Sequence, residues 1–131
     1  FRALNDLPMG MTAHIVVPAY DAEHPSTQSA RMIGVIREQI GFQGLLLTDD
    51  LTMEALAGDL TERTARSMAA GCDVALHCNG TRAEREMVAA AAGSLTGAAA
   101  LRLERALAMR RTPDPIDAEA MMAELEALLI L

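Results

Sequence analysis

Aromatic side chains are nearly missing from this 131-residue chain: Phe1, Phe42 and Tyr20 are the whole complement, and there is no tryptophan. Hydrophobic residues still make up 51% of it. A sizeable core can therefore form, but it must be built from Leu, Ile, Val, Ala and Met. An excess of positive charge is also missing. The formal net charge is −7, which argues against nucleic acid as a partner, because a phosphate backbone needs a basic patch. No window holds the run of about 18 apolar residues that a membrane-spanning helix requires, so no membrane partner is expected. No charged-then-apolar leader opens the chain as given, and a cytoplasmic location is the expectation. Only two cysteines occur, Cys72 and Cys78. If Cys72 to Cys78 is a strand, they lie roughly 20 Å apart. A disulfide needs Cα atoms within about 7 Å, so these two stay free while that strand is intact, as suits a reducing compartment.

What is present is a pattern of alternating strands and helices. The apolar run from Met9 to Val17, closed by Pro18, reads as a buried strand near residues 11–17. Met32, Ile33, Ile36 and Ile40 recur at helical spacing between Ser29 and Ile40. Pro25, Ser26 and Ser29 supply start signals, and Gly41 supplies a stop. Gly44-Leu45-Leu46-Leu47-Thr48 is a second strand, ending in Asp49-Asp50. A helix capped by Thr61 is expected to run to about Ala70, with Gly71 ending it. Cys72 to Cys78 is the third strand, followed by a helix from about Thr81 to Ala92. Two more helices are expected over Ala98–Met109 and Asp117–Ile130. The last one carries Met121, Met122, Leu125, Leu128 and Leu129 on one side, a stripe expected to pack on the sheet. The strand spacing of roughly 30 residues is that of a βαβ unit.

The fold class is therefore α/β with parallel strands. Three such strands leave two open edges, and a closed barrel takes eight strands and about 250 residues. The expectation is the carboxyl-terminal part of a (β/α)8 barrel: about three βα units plus terminal helices, one portion of one catalytic domain over residues 1–131, with the amino-terminal barrel half as its missing partner. A small flavodoxin-like sheet is the competing reading, although it ordinarily takes five strands.

Chemistry in parallel α/β folds gathers at the carboxyl ends of the strands. That rule selects His14, the pair Asp49 and Asp50, and His77, Cys78 and Asn79. His14 lies in an apolar run and is equally readable as a satisfied core histidine; His77 and Asn79 are equally readable as partners of loop backbone. Asp49 directly follows a rigid apolar strand, and an unpaired buried carboxylate is costly, so it should face a polar cavity. Asp50 cannot point the same way, so one of the two carboxylates should face the mouth while the other caps or supports the following loop. The alternative is that both cap a helix beginning near Thr52.

The segment Gly41-Phe42-Gln43-Gly44-Leu45-Leu46-Leu47-Thr48-Asp49-Asp50-Leu51-Thr52-Met53-Glu54-Ala55-Leu56 resembles glycoside hydrolase family 3, in its single-domain bacterial β-N-acetylglucosaminidase branch. Gly10 to Asp21, Pro25-Ser26-Thr27-Gln28-Ser29 and Ala70 to Gly80 fit in order and spacing. By that resemblance Asp49 is the catalytic nucleophile, and the enzyme is a retaining exo-β-N-acetylglucosaminidase acting on GlcNAc-containing muropeptide fragments in cell-wall recycling. Asp50, where the β-glucosidase branch carries a tryptophan, favours the hexosaminidase branch. His14, Met53 and His77 are candidate substrate-binding residues. The family's acid/base dyad sits on a Lys-His-Phe-Pro-Gly-His-Gly-like loop that this sequence lacks, so His14, His24 and His77 do not inherit its role and the chain alone should be inactive. No cofactor is implied, and no metal, since no third oxygen ligand stands at motif spacing. The rival readings are a metal-dependent α/β enzyme using Asp49 and Asp50, a non-catalytic barrel fragment, and a phosphorylase of the same family.

Overall fold

A computed structural model of the chain describes residues 1–129. After a short 3-10 turn at Arg2–Leu4, strand β1 (Met9–Met11) opens the sheet. Then come a small antiparallel pair, β2 (Val16–Val17) and β3 (Asp21–Pro25), and a 3-10 turn at Ser26–Gln28. Helix α1 (Ala30–Gly34) runs on into one π-helical turn, Val35–Gln39. Strand β4 (Leu45–Asp50), helix α2 (Leu60–Ala70), strand β5 (Val74–Leu76) and helices α3 (Arg82–Ala92), α4 (Gly97–Ala108) and α5 (Ala118–Leu129) complete the order.

Strands β1, β4 and β5 form one parallel sheet, in that order, as the spacing of the apolar runs predicts. The central strand, β4, carries Leu46 into a core with Ile33, Phe42 and Cys72, packed beneath α1 and the start of β5. A second cluster, Leu51, Leu56 and Val88, sits under α2 and α3 and takes in Ala75 of β5. Leu46 within β4 belongs to the first cluster, and Leu51, just past the end of β4, belongs to the second.

Local signals account for the helix ends. The Ser29 hydroxyl accepts the Met32 amide and starts α1, and Gly41 leaves the helix at φ +81. Helix α3 begins with a capping box between Thr81 and Glu84. Helix α2 has a capping box too, but it is Asp59 with Glu62, so the expected cap at Thr61 is two residues late. Gly71 closes that helix in the left-handed region at φ +114, the conformation that favours glycine there.

Three expectations need correction. The Met9–Val17 run is not one buried strand. It leaves the sheet after Met11, and Val16 and Val17 pair with β3 instead. Thr12 and His14 interrupt it, because their polar side chains are drawn to Thr27 and to the backbone of β4. Met9 and Met11 are also well exposed, at 43% and 55%. No helix begins near Thr52; that segment is a turn. The apolar stripe of α5 packs on nothing among the described residues: Met121, Met122, Leu125, Leu128 and Leu129 are all exposed. Ile130, the expected end of that helix, lies outside the described residues.

At the foot of the sheet Asp73 forms a buried junction. One oxygen receives Arg37 at 2.7 Å and the Leu46 amide at 2.9 Å; the other receives Arg102 at 2.7 Å. Arg37 also donates to the carbonyls of Phe42 and Gly44 and lies over the Phe42 ring. One carboxylate thus joins the first helical unit, β4, the start of β5 and α4.

Candidate active site

Between β4 and β5 the register shifts, Leu47 facing Val74 but Asp50 facing Leu76. Strand β4 therefore spends one more residue than β5 over the same stretch, which makes a bulge at Thr48 and Asp49. The cause is visible in the hydrogen bonds. The Leu76 amide donates to the Thr48 hydroxyl at 2.8 Å rather than to a backbone carbonyl, and Thr48 is fully buried. The ladder resumes where the Leu51 amide donates to the Leu76 carbonyl. Bulges of this kind re-aim a side chain at the end of a strand, and here the affected residue is Asp49.

The two neighbouring carboxylates have different surroundings. Asp49 is partly exposed; its Oδ1 accepts the Asp50 amide at 2.8 Å, and no other hydrogen bond reaches it among the described residues. The Asp50 carboxylate is fully engaged. It accepts the Thr52 amide, the Thr52 hydroxyl at 2.6 Å and the Cys78 amide at 3.2 Å. Burial pushes the Asp50 carboxyl up, but the Thr52 and Cys78 hydrogen bonds and the nearby His77 outweigh it, and the net shift is downward. So Asp50 is the carboxylate of the pair that supports the loop.

His14, Asp49, Asp50, His77 and Cys78 lie toward the same end of the sheet. His14 reaches across from β1: its Nε2 lies 2.9 Å from the Asp50 carbonyl and its Nδ1 2.8 Å from the Thr27 hydroxyl. Thr27 is fully buried and is itself met by the Thr12 hydroxyl at 2.9 Å. His77 sits differently. Its ring lies under the loop into α3, against Gly80, and both ring nitrogens are buried with no hydrogen-bond partner. It makes no bond to loop backbone. Met53 stands exposed on the turn after β4. That turn is clamped by Arg63, which donates to the carbonyls of Leu51, Met53 and Gly58. Among the described residues no three His, Cys, Asp or Glu side chains gather in a way that could hold a metal ion.

Sequence reasoning missed Thr48, Thr27 and Arg63. Thr27 and Thr48 are small polar residues whose roles come from tertiary partners, His14 and the Leu76 amide, far away in the sequence. The block Pro25 to Ser29 did carry a signal. In the structure Thr27 serves His14, and Ser29 serves both α1 and Asp21, to which its hydroxyl donates at 2.7 Å.

Comparison with protein families matches residues 1–108 to the glycosyl hydrolase family 3 N terminal domain. A beta-hexosaminidase of Vibrio cholerae serotype O1 is 42% identical over 80 residues, which is 60% of this chain and 24% of that protein. A beta-hexosaminidase of Nitrosospira multiformis is 35% identical over 107 residues, 80% of this chain and 30% of that one. Among solved structures, a beta-N-acetylhexosaminidase from Beutenbergia cavernae superposes with a TM-score of 0.60 at 26% identity, covering 77% of this chain and 32% of its own. A glycoside hydrolase family 3 beta-N-acetylglucosaminidase from Paenibacillus sp. shares the fold with a TM-score of 0.65 at 22% identity, covering 85% of this chain and 24% of its own. The chain thus spans about a quarter of the length of the curated relatives it matches. With residues 1–108 inside the family match, the chain belongs to glycosyl hydrolase family 3.

Proposed function

We propose that this chain supplies the nucleophile, Asp49, of a retaining exo-β-N-acetylglucosaminidase, and that it forms the closing three βα units of a (β/α)8 barrel. The observation that carries the reading is the division of labour at the end of β4. The Asp50 carboxylate is tied to Thr52 and Cys78, whereas Asp49 keeps one oxygen clear of any hydrogen bond among the described residues. The names of the relatives, beta-hexosaminidase and beta-N-acetylhexosaminidase, support the substrate class.

In this reading the Asp49 carboxylate attacks the anomeric carbon, the bond to the leaving oxygen breaks, and a covalent glycosyl-enzyme forms. Water then releases the sugar with net retention. The proton for the leaving oxygen comes from an acid outside this sequence, since His14 is occupied on both nitrogens and His77 is covered. The proposed substrates are GlcNAc-containing fragments of peptidoglycan, handled in the cytoplasm. Among the described residues no helix is long and apolar enough to cross a membrane.

The test uses the gene's full reading frame. Asp49→Ala should lower turnover of an aryl β-N-acetylglucosaminide by at least about 10⁴-fold, the scale on which losing a nucleophile acts. Asp50→Ala should leave measurable turnover. A fluorinated sugar that slows the second step should leave its adduct on the peptide containing Asp49. Label found only on another carboxylate would sink the assignment.

A further inference from the structure

We propose that His14 is a positioning residue for Asp49, acting through the Asp50 backbone; this rests on the nucleophile reading above. A peptide carbonyl can only accept, so the 2.9 Å contact with the Asp50 oxygen requires the proton on Nε2. In the neutral ring Nδ1 then accepts the Thr27 hydroxyl at 2.8 Å, and the Thr12 hydroxyl oxygen lies 2.9 Å from that of Thr27. The buried threonine pair thereby sets both the tautomer and the plane of the imidazole, and leaves neither nitrogen for a sugar.

Asp50 needs such a donor because β1 stops short of it: β1 ends at Met11, and beyond the bond from the Thr12 amide to the Leu47 carbonyl no backbone donor reaches β4 from that side among the described residues. His14 holds the Asp50 carbonyl, with the Met53 amide at 3.2 Å as the other donor. Thr52 and Cys78 hold its carboxylate. Fixed at both ends, Asp50 presents its amide to Asp49 Oδ1 at 2.8 Å. That bond ends on a carboxylate, so it is of the stronger, charge-assisted kind, and it sets which way the other oxygen faces.

The experiment compares His14→Leu, His14→Gln and Thr27→Val in the full reading frame. Turnover is expressed per active site, counted by fluorosugar adduct on Asp49, so that loss of folded protein does not register as loss of rate. His14→Leu is expected to lower kcat per labelled site by about 10²-fold, the scale of a misplaced reacting group, with KM changed less than a few-fold. Gln reaches the Asp50 carbonyl with its own N–H and should recover most of that loss. Thr27→Val leaves the ring in place but frees its plane, and should give a smaller fall in kcat, again without a matching rise in KM. Unchanged kcat per labelled site in His14→Leu would overturn the proposal. So would a rise in KM alone, which would mean that His14 touches the sugar. If His14→Leu does not fold, unchanged kcat per labelled site in both Thr27→Val and His14→Asn, whose amide is one methylene shorter than that of Gln, overturns it equally. An unsubstituted protein labelled on some carboxylate other than Asp49 would fail the nucleophile reading itself, and this inference with it.

Discussion

At the scale of single residues, the carboxylates of Asp49 and Asp50 also govern the thiol beside them. Cys78 is exposed at the end of the sheet, and its amide already serves Asp50. Burial, and then the charges of Asp50 and Asp49, push its thiol up from the ordinary value, because a thiolate there would stand against two anions. Cys72 is buried in the core with Ile33, Phe42 and Leu46, and burial pushes it up to about 11. Reactivity belongs to the thiolate. Ellman's reagent should therefore modify one thiol in the folded protein, slowly for an exposed cysteine, and two in denaturant. Asp49→Asn removes one of the opposing charges and should speed the reaction at Cys78 a few-fold. Two fast thiols in the folded protein, or a rate indifferent to Asp49→Asn, would contradict this arrangement.

Among elements, the joint that matters most is Asp73, which connects β4, β5, the first helical unit and α4 through one buried carboxylate. Removing it strands Arg37, whose side chain is only 13% exposed, without its counter-charge. Asp73→Ala should cost about 3–5 kcal/mol, the usual penalty for breaking a buried pair from one side. Arg102→Met should cost less, because Arg37 and the Leu46 amide remain. Urea unfolding of the full reading frame measures both; an Asp73→Ala loss below about 1 kcal/mol, the size of an ordinary substitution, would refute the joint. Nothing around Cys72-Asp73-Val74 in the sequence marks this role, since both arginines come from distant segments. The elements that were legible are those with local signals. Ser29 and Gly41 bound the first helix, the Leu45–Leu47 run makes β4, and Thr81 opens α3. The Met9–Val17 run was misread because hydrophobicity alone cannot show that Thr12 and His14 have partners 15 and 36 residues away. Likewise the stripe on α5 announces an apolar face but not what it meets. For the candidate site, the place of Asp49 at the end of β4 was readable from the apolar run before it, and its proposed role as nucleophile comes from the family resemblance. The bulge that aims it was not readable, because it depends on a threonine hydroxyl substituting for a backbone carbonyl.

Taken as a whole molecule, the chain exposes 9025 Å², against about 6,700 Å² expected for a compact folded monomer of its mass. Part of the excess is the segment around α5. Part is the sheet face and edge at Met9, Met11 and Ile15, beside an apolar groove of about 420 Å³. Surfaces of that kind favour association. The 131-residue chain alone should therefore elute as oligomers or aggregate in size-exclusion chromatography, and supplying the proposed further barrel units in trans should raise the soluble fraction. It should also fail to release aryl alcohol from a β-N-acetylglucosaminide, since a separate acid typically contributes about 10²–10⁴-fold and positioning further still. Turnover by the isolated chain that Asp49→Ala abolishes would show that an acid is present within these residues. The sheet has a further consequence, in time rather than in space. Its bonds join residues far apart along the chain, Thr12 with Leu47 at a separation of 35 and Leu46 with Asp73 at 27. None of its three strands meets a neighbour through a tight turn; among the described residues the local hairpin, β2 with β3, lies outside it. Long closures must be made before such contacts give anything back, which slows folding relative to locally connected helices. Capped segments such as α2 and α3 can form early, whereas the parallel ladder must wait. A newly made chain thus passes through a helix-rich interval in which its apolar strand residues are still unpaired and open to chaperones or to foreign strands. The end of β4, where the proposed nucleophile lies, belongs to that ladder and is expected to form with it.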